Sequence, residues 1–155
     1  MYKNIAKSYN KLHKEEQLKK LKIIKENMNI IPPLLDIGCG TGISTNFFKV
    51  KSIGIDPCME MIKQSKSKNL IKGYAEKLPF KDKRFNTVIS VTAFHNFKDM
   101  EKALKEALRV SSNKNIAISF LRRSKKLKEF KNILKKYSNF KEIKEDKDII
   151  FILKP

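Results

Sequence analysis

At 155 residues the chain has the size of one domain, 1–155, burying roughly 70% of its unfolded surface in a single core. No apolar run approaches the ~20 residues of a membrane span, and Met1-Tyr2-Lys3-Asn4 opens no signal-peptide core, so a cytoplasmic protein without a membrane partner is expected. Thirty-five Lys plus Arg against 16 Asp plus Glu give a formal net charge of +19, which attracts polyanions; the basic residues are spread over almost every helix, so composition bias accounts for the charge at least as well as RNA binding does.

In chain order, Ile5, Tyr9 and Leu12, then Leu21, Ile24 and Met28, recur at helical spacing from about residue 4 to 29. They predict one or two amphipathic helices forming a cap over 1–31, which Pro32-Pro33 ends. A sheet core over 32–155 follows, with strands near 34–37 and 52–55, a helix from Pro57, a short strand near 70–73 and another strand at 87–91. Ala103, Leu104, Ala107 and Leu108 mark the next helix face; a strand at 115–120 and a helix carrying Leu127, Phe130, Leu134 and Tyr137 come after it. The tail reads as strands at 140–143 and 148–153 joined by the polar turn 144–147. Such alternation closed by a hairpin predicts an α/β, doubly wound sheet. Cys39 and Cys58 follow adjacent strands and are expected to be reduced, and two histidines far apart give no metal-ligand spacing.

Leu34-Leu35-Asp36-Ile37-Gly38-Cys39-Gly40-Thr41-Gly42 joins an apolar strand to three alternating glycines with a carboxylate at the hinge. Glycines there let the backbone turn sharply and approach a bound molecule without a Cβ in the way. A second apolar stretch, Ile53-Gly54-Ile55, ends in Asp56, at the spacing where nucleoside-binding folds set an acid against ribose hydroxyls. The dinucleotide pattern G-x-G-x-x-G fails, since Ile43 and Thr45 stand where its last glycine would be, and Asp36 would repel a pyrophosphate.

On these residues the chain resembles the class I S-adenosylmethionine (SAM)-dependent methyltransferases, most closely their small type 11 branch, in which Asp-Ile-Gly-Cys-Gly-Thr-Gly is a common first motif. SAM carries an ammonium and a sulfonium and no phosphate, which suits Asp36. The resemblance continues through Gly54-Ile55-Asp56-Pro57-Cys58-Met59-Glu60-Met61, Ala75-Glu76-Lys77-Leu78-Pro79-Phe80 and the run from Phe85 to Phe97, and covers about residues 34–110. Tyr74 and Asn86 depart from it, standing where acids are common. The resemblance implies a Rossmann-like, mostly parallel seven-stranded sheet with the last strand antiparallel, and SAM as cofactor. It further implies cofactor contacts from Asp36, Gly38, Cys39, Gly40 and Gly42, from Asp56, Pro57 and Met59 around ribose and adenine, from Ala75, Glu76 and Leu78 at the adenine edge, and from Val91.

Each position has a plainer alternative. Asp36 is also a good strand-end polar residue, Asp56 a helix cap, and Glu76 a solvated loop acid. Tyr9 matches a tyrosine that covers SAM in many relatives, and equally a core aromatic at helical spacing. His95 stands where relatives place residues near the methyl, as a general base or as a packing histidine.

Methyl transfer asks little acid–base chemistry, so the residues leave the acceptor unidentified. No Asp-Pro-Pro-Tyr or Asn-Pro-Pro-Tyr follows the 87–91 strand, and the Pro57-Cys58 pair follows the wrong strand for a cytosine nucleophile, which disfavours both base-methylating chemistries. Arg122 and Arg123 fall past the 115–120 strand, at the rim where open α/β sheets bind ligands, with about three residues and no lid before the next helix. They suggest an open substrate site and an anionic acceptor, a small acid or an RNA backbone. A homodimer is the other partner considered, and a non-catalytic SAM-binding or partner-binding module is the alternative to an enzyme.

Overall fold

The computed structural model describes residues 2–154, with side chains from residue 11 onward. Of the one or two helices expected, the chain forms one long helix, α1 (Tyr2–Asn27); Tyr9 lies on it, and its side chain is outside the described residues. The strands are β1 (Leu34–Ile37), β2 (Ser52–Asp56), β3 (Leu70–Lys72), β4 (Thr87–Val91), β5 (Ile116–Leu121), β6 (Asn139–Lys144) and β7 (Asp148–Lys154). Between them lie α2 (Ile43–Phe47), α3 (Met59–Lys63), α4 (Met100–Val110) and α5 (Leu127–Tyr137), and a 3-10 turn spans Phe94–Asn96.

The sheet order is β3-β2-β1-β4-β5-β7-β6. β1 to β5 pair in parallel, and β7 runs antiparallel between β5 and β6. β1 and β4 are buried along their whole length, the mark of parallel strands covered on both faces. On one face Val88, Ile116, Ile118 and Phe120 meet α4 and α5, where the Phe120 and Phe130 rings stack at 4.7 Å. On the other, Leu34, Ile89, Val91, Ala117 and Ile150 pack under Leu21 and Ile24 of α1.

Two boundaries move for local reasons. The helix expected from Pro57 begins two residues later, because the Cys58 N–H donates to Asp56 Oδ1 at 2.8 Å and holds Cys58 extended. The connection after β5 is residues 122–126, longer than the three residues expected, and it still carries no lid. Asn86, the departure at the start of β4, ties strand ends together: its amide donates to the Pro32 carbonyl at 2.9 Å and its Oδ1 accepts from Ser112 at 2.7 Å.

Candidate functional site

Strand order reverses between β1 and β4, so the loops leaving these neighbours diverge and open a crevice at their carboxyl ends. Asp36 lies in β1 between Gly54 of β2 and Ile89 of β4 and is fully buried. Its Oδ2 accepts the hydroxyls of Ser44 and of Thr45, the latter at 2.8 Å, which fastens the start of α2 behind the glycine loop. Its Oδ1 is buried with no hydrogen-bond partner. Burial pushes the carboxyl up to about 6, against the pull of the two hydroxyls and with a further push from Asp56.

The loop itself is folded by its backbone. Gly38 and Cys39 both donate to the Ile55 carbonyl, at 2.8 and 3.0 Å, and Gly38, Gly40 and Gly42 have φ of +78°, +54° and +90°. A Cβ on Gly38 would lie 2.5 Å from Ala93 Cβ, so this glycine is where the loop after β4 touches the loop after β1. A Cβ on Gly40 would meet only Met61 Cε, at 3.4 Å; beyond that methyl the loop faces open space. Asp56 bridges the two loops, its Oδ2 accepting the Gly40 N–H at 3.0 Å while Oδ1 takes Cys58. Each of those oxygens keeps a second lone pair for a ligand hydroxyl. Burial, then Asp36 and Asp56, push the Cys39 thiol far up, so it is an unreactive neutral packing group. Both Cys39 and Cys58 are free thiols, as expected.

The crevice floor fits a cationic nucleoside ligand. An orphaned buried carboxylate oxygen stands behind the loop, a second carboxylate stands beside it, and the open approach at Gly40 is one that a side chain would fill. Pro57 follows Asp56, and exposed Met59, Met61 and Tyr74 offer apolar surface on the segments after β2 and β3. Met61, which reads in the sequence as one more apolar helix position, is the side chain that reaches Gly40.

Several anticipated residues have partners in the frame. Ala75 and Leu78 are buried in the core, and the Leu78 N–H donates to Glu106 Oε1 at 2.8 Å. Glu76 is engaged by backbone: its Oε2 accepts the N–H groups of Lys98 and Asp99 at 3.0 and 3.3 Å, clamping the segment after β3 to the loop after β4. Val91 points its side chain into the α1-side core. Arg122, expected to clamp an anionic acceptor, donates from Nη1 to the carbonyls of Glu145 and Asp146 at 3.1 and 2.9 Å and binds the β6–β7 turn to the end of β5. Arg123 is exposed.

His95, in the 3-10 turn after β4, is half-buried, with its ring 6.0 Å from that of Phe120 and its Nδ1 buried without a partner. Burial lowers its pKa, with Lys126 and Lys20 pushing the same way against Asp148, so the imidazole is neutral at pH 7 and able to accept a proton. Beneath this turn is a polar cluster that no local pattern announces. Lys20 Nζ donates to Thr92 Oγ1 at 2.8 Å, Thr92 Oγ1 donates to Asp148 Oδ2 at 2.6 Å, and Lys20 pairs with Asp148 Oδ1 at 3.4 Å. Thr92 has φ +53°, a left-handed conformation costing a β-branched residue on the order of 1–3 kcal/mol.

With the folded pKa of Asp36 near 6 against ~3.9 unfolded, the native state binds the proton more tightly; that stabilisation is complete below pH 4 and lost as pH rises through 6. Asp36→Asn, which cannot ionise, is therefore expected to gain about 2.4 kcal/mol on wild type between pH 4 and pH 8, read from urea midpoints at the two pH values. A difference independent of pH would show that Asp36 titrates normally.

A methyltransferase-domain family model matches residues 35–119, from β1 to β5. An uncharacterized protein of Methanocaldococcus jannaschii is 36% identical over 149 residues, covering 92% of this chain and 58% of its own length. The demethylmenaquinone methyltransferase of Chlorobaculum tepidum is 33% identical over 87 residues, 51% of this chain and 36% of that enzyme. The chain thus spans little more than half of the first relative and about a third of the second. A crystal structure of a SAM-dependent methyltransferase from Thermotoga maritima superposes with a TM-score of 0.75 at 21% identity, covering 99% of this chain and 97% of that one, a likeness of fold.

Proposed function

This chain belongs to the class I SAM-dependent methyltransferases, and on that premise we propose that it binds SAM across the β1–β4 crevice and passes the methyl group to an acceptor entering over the open rim beside β5. The observation that carries the reading is the pair of carboxylates around the glycine loop, one with a buried oxygen lacking a partner. Asp56 would accept the ribose hydroxyls, the glycine loop would carry the amino-acid portion, and Asp36 would compensate its positive charge. When bound, SAM supplies a methyl carbon already activated by its sulfonium. The protein's task is then to hold that carbon in line with the acceptor, an alignment able to supply roughly 7–11 kcal/mol of the barrier. Neutral His95 would take the proton that the acceptor loses. The connection 122–126 inserts no covering segment, which supports an acceptor site open to solvent.

Calorimetry with SAM, its demethylated product S-adenosylhomocysteine and NAD tests the cofactor, and transfer of labelled methyl to cell extract tests the enzyme. Both SAM and its product are expected to bind, NAD is not, and Asp56→Ala should weaken binding by about 1.5–3 kcal/mol for each ribose hydrogen bond lost. Tight NAD binding without SAM binding would falsify the cofactor reading; SAM binding with no labelled fraction would favour a non-catalytic module.

A further inference from the structure

β1 and β4 leave the sheet at the same crevice, and both leave through a left-handed residue. β1 uses Gly38 at φ +78°; β4 uses Thr92 at φ +53°. Glycine adopts that conformation freely, whereas a threonine must be held in it. Three elements distant in sequence hold this one. Lys20 of α1 and Asp148 of β7 bond its hydroxyl at 2.8 and 2.6 Å, and Ser119 of β5 accepts its N–H at 2.9 Å on Oγ and 3.2 Å on the backbone oxygen. Lys20, Ser119 and Asp148 are 3%, 0% and 0% exposed. So much buried polarity at one residue is unexplained by packing, since an apolar side chain in an ordinary extended exit would cost the core less.

The left-handed exit directs the chain beyond β4 toward the glycine loop. Ala93 is brought against Gly38, where a Cβ would lie 2.5 Å from its own, the Phe97 ring comes within 3.6 Å of the same point, and His95 is carried on the turn between them. We propose that Lys20, Thr92, Ser119 and Asp148 form a positioning device that sets the 93–97 turn, and His95 with it, against the glycine loop, so that they govern methyl transfer rather than cofactor affinity. This rests on the methyltransferase reading of the crevice. None of the four touches the reacting atoms; they act through the turn.

The chain has two histidines, so His13→Gln leaves His95 as the one imidazole to observe by nitrogen–proton NMR. In that background the His95 signal is expected to shift when S-adenosylhomocysteine is added. Thr92→Val removes both hydroxyl bonds; it should move or broaden the His95 signal before any ligand is present, abolish its response, and cut transfer of labelled methyl to extract by about tenfold to a hundredfold. The calorimetric affinity for S-adenosylhomocysteine should change less than about threefold, since Asp36, Gly40 and Asp56 are untouched, each tenfold being about 1.4 kcal/mol. Thr92→Ser should restore signal and transfer. Should Thr92→Val fail to fold, Thr92→Gly, which takes the left-handed backbone without strain and lacks the hydroxyl, carries the same test. An unchanged His95 signal in these variants overturns the proposal, as does a loss of ligand affinity equal to the loss of transfer. If the unsubstituted threonine protein fails to bind S-adenosylhomocysteine, the cofactor reading fails, while the ligand-free His95 signal still decides the positioning claim.

Discussion

Gly40→Val is expected to remain folded and to lose SAM binding by more than about a hundredfold, while Gly38→Ala is expected to lose its fold first, although the two glycines stand two residues apart in one loop. At Gly40 the nearest atom to an added Cβ is the flexible Met61 Cε at 3.4 Å, so the substitution costs about 1–3 kcal/mol for the left-handed backbone of a β-branched residue and then stands in the ligand's path. At Gly38 the added carbon would lie 2.5 Å from Ala93 Cβ, a side-chain atom fixed by its backbone that no rotamer change can move away. Overpacking of about 1–3 kcal/mol adds there to a similar conformational strain. Urea unfolding separates the stabilities and calorimetry the affinities. Wild-type affinity in Gly40→Val would mean that the loop does not carry the cofactor.

Asp148→Ala should also be strongly destabilising, although it lies outside the apolar core. It strands the Lys20 ammonium, whose side chain is 4% exposed, without a counter-charge, and breaking a buried pair from one side costs about 3–5 kcal/mol. For a domain of this length that lowers the melting temperature by roughly 10 °C. Removing both charges, as Lys20→Met with Asp148→Leu, should recover most of the loss, because apolar groups of like volume need no solvation. The Lys131–Glu142 pair is a control: its side chains are 33% and 38% exposed, and Glu142→Ala should cost less than about 1 kcal/mol. Equal losses for Asp148→Ala and Glu142→Ala would show that water reaches the Lys20 pair.

The parts of this molecule legible in its sequence are those encoded by neighbours. β1, the glycine loop, the start of α2 and the Asp at the end of β2 lie within one short stretch, and each leaves a local mark: an apolar run, a glycine alternation, an acid at a strand end. The strands at 87–91 and 116–121 declare themselves as apolar runs, and the apolar faces of α4 and α5 through periodicity. The Thr92 cluster has no such mark, because its hydroxyl's partners lie 72 residues before it and 56 after it, and Lys20 sits in a helix full of lysines. Arg122 and Glu76 stand at the rim where their positions in the chain put them, but position does not say which way a side chain turns. In both residues a neighbouring loop's backbone engages part of the charged group, Oε2 of Glu76 and Nη1 of Arg122.

The insertion of β7 between β5 and β6 also bears on how the chain is made. As it leaves the ribosome, β5 emerges with a bare edge, and β6, the next strand synthesised, has no native place beside it because that slot belongs to a strand still to come. An apolar edge left open in this way is a template for wrong pairing, with another nascent chain or with β6 itself. The antiparallel β6–β7 pair is therefore expected to close first, around the turn where buried Glu145 accepts the N–H groups of Lys147 and Asp148, and to dock onto β5 as one piece. With it arrives Asp148, so the α1 lysine waiting since residue 20 is neutralised only at that final step.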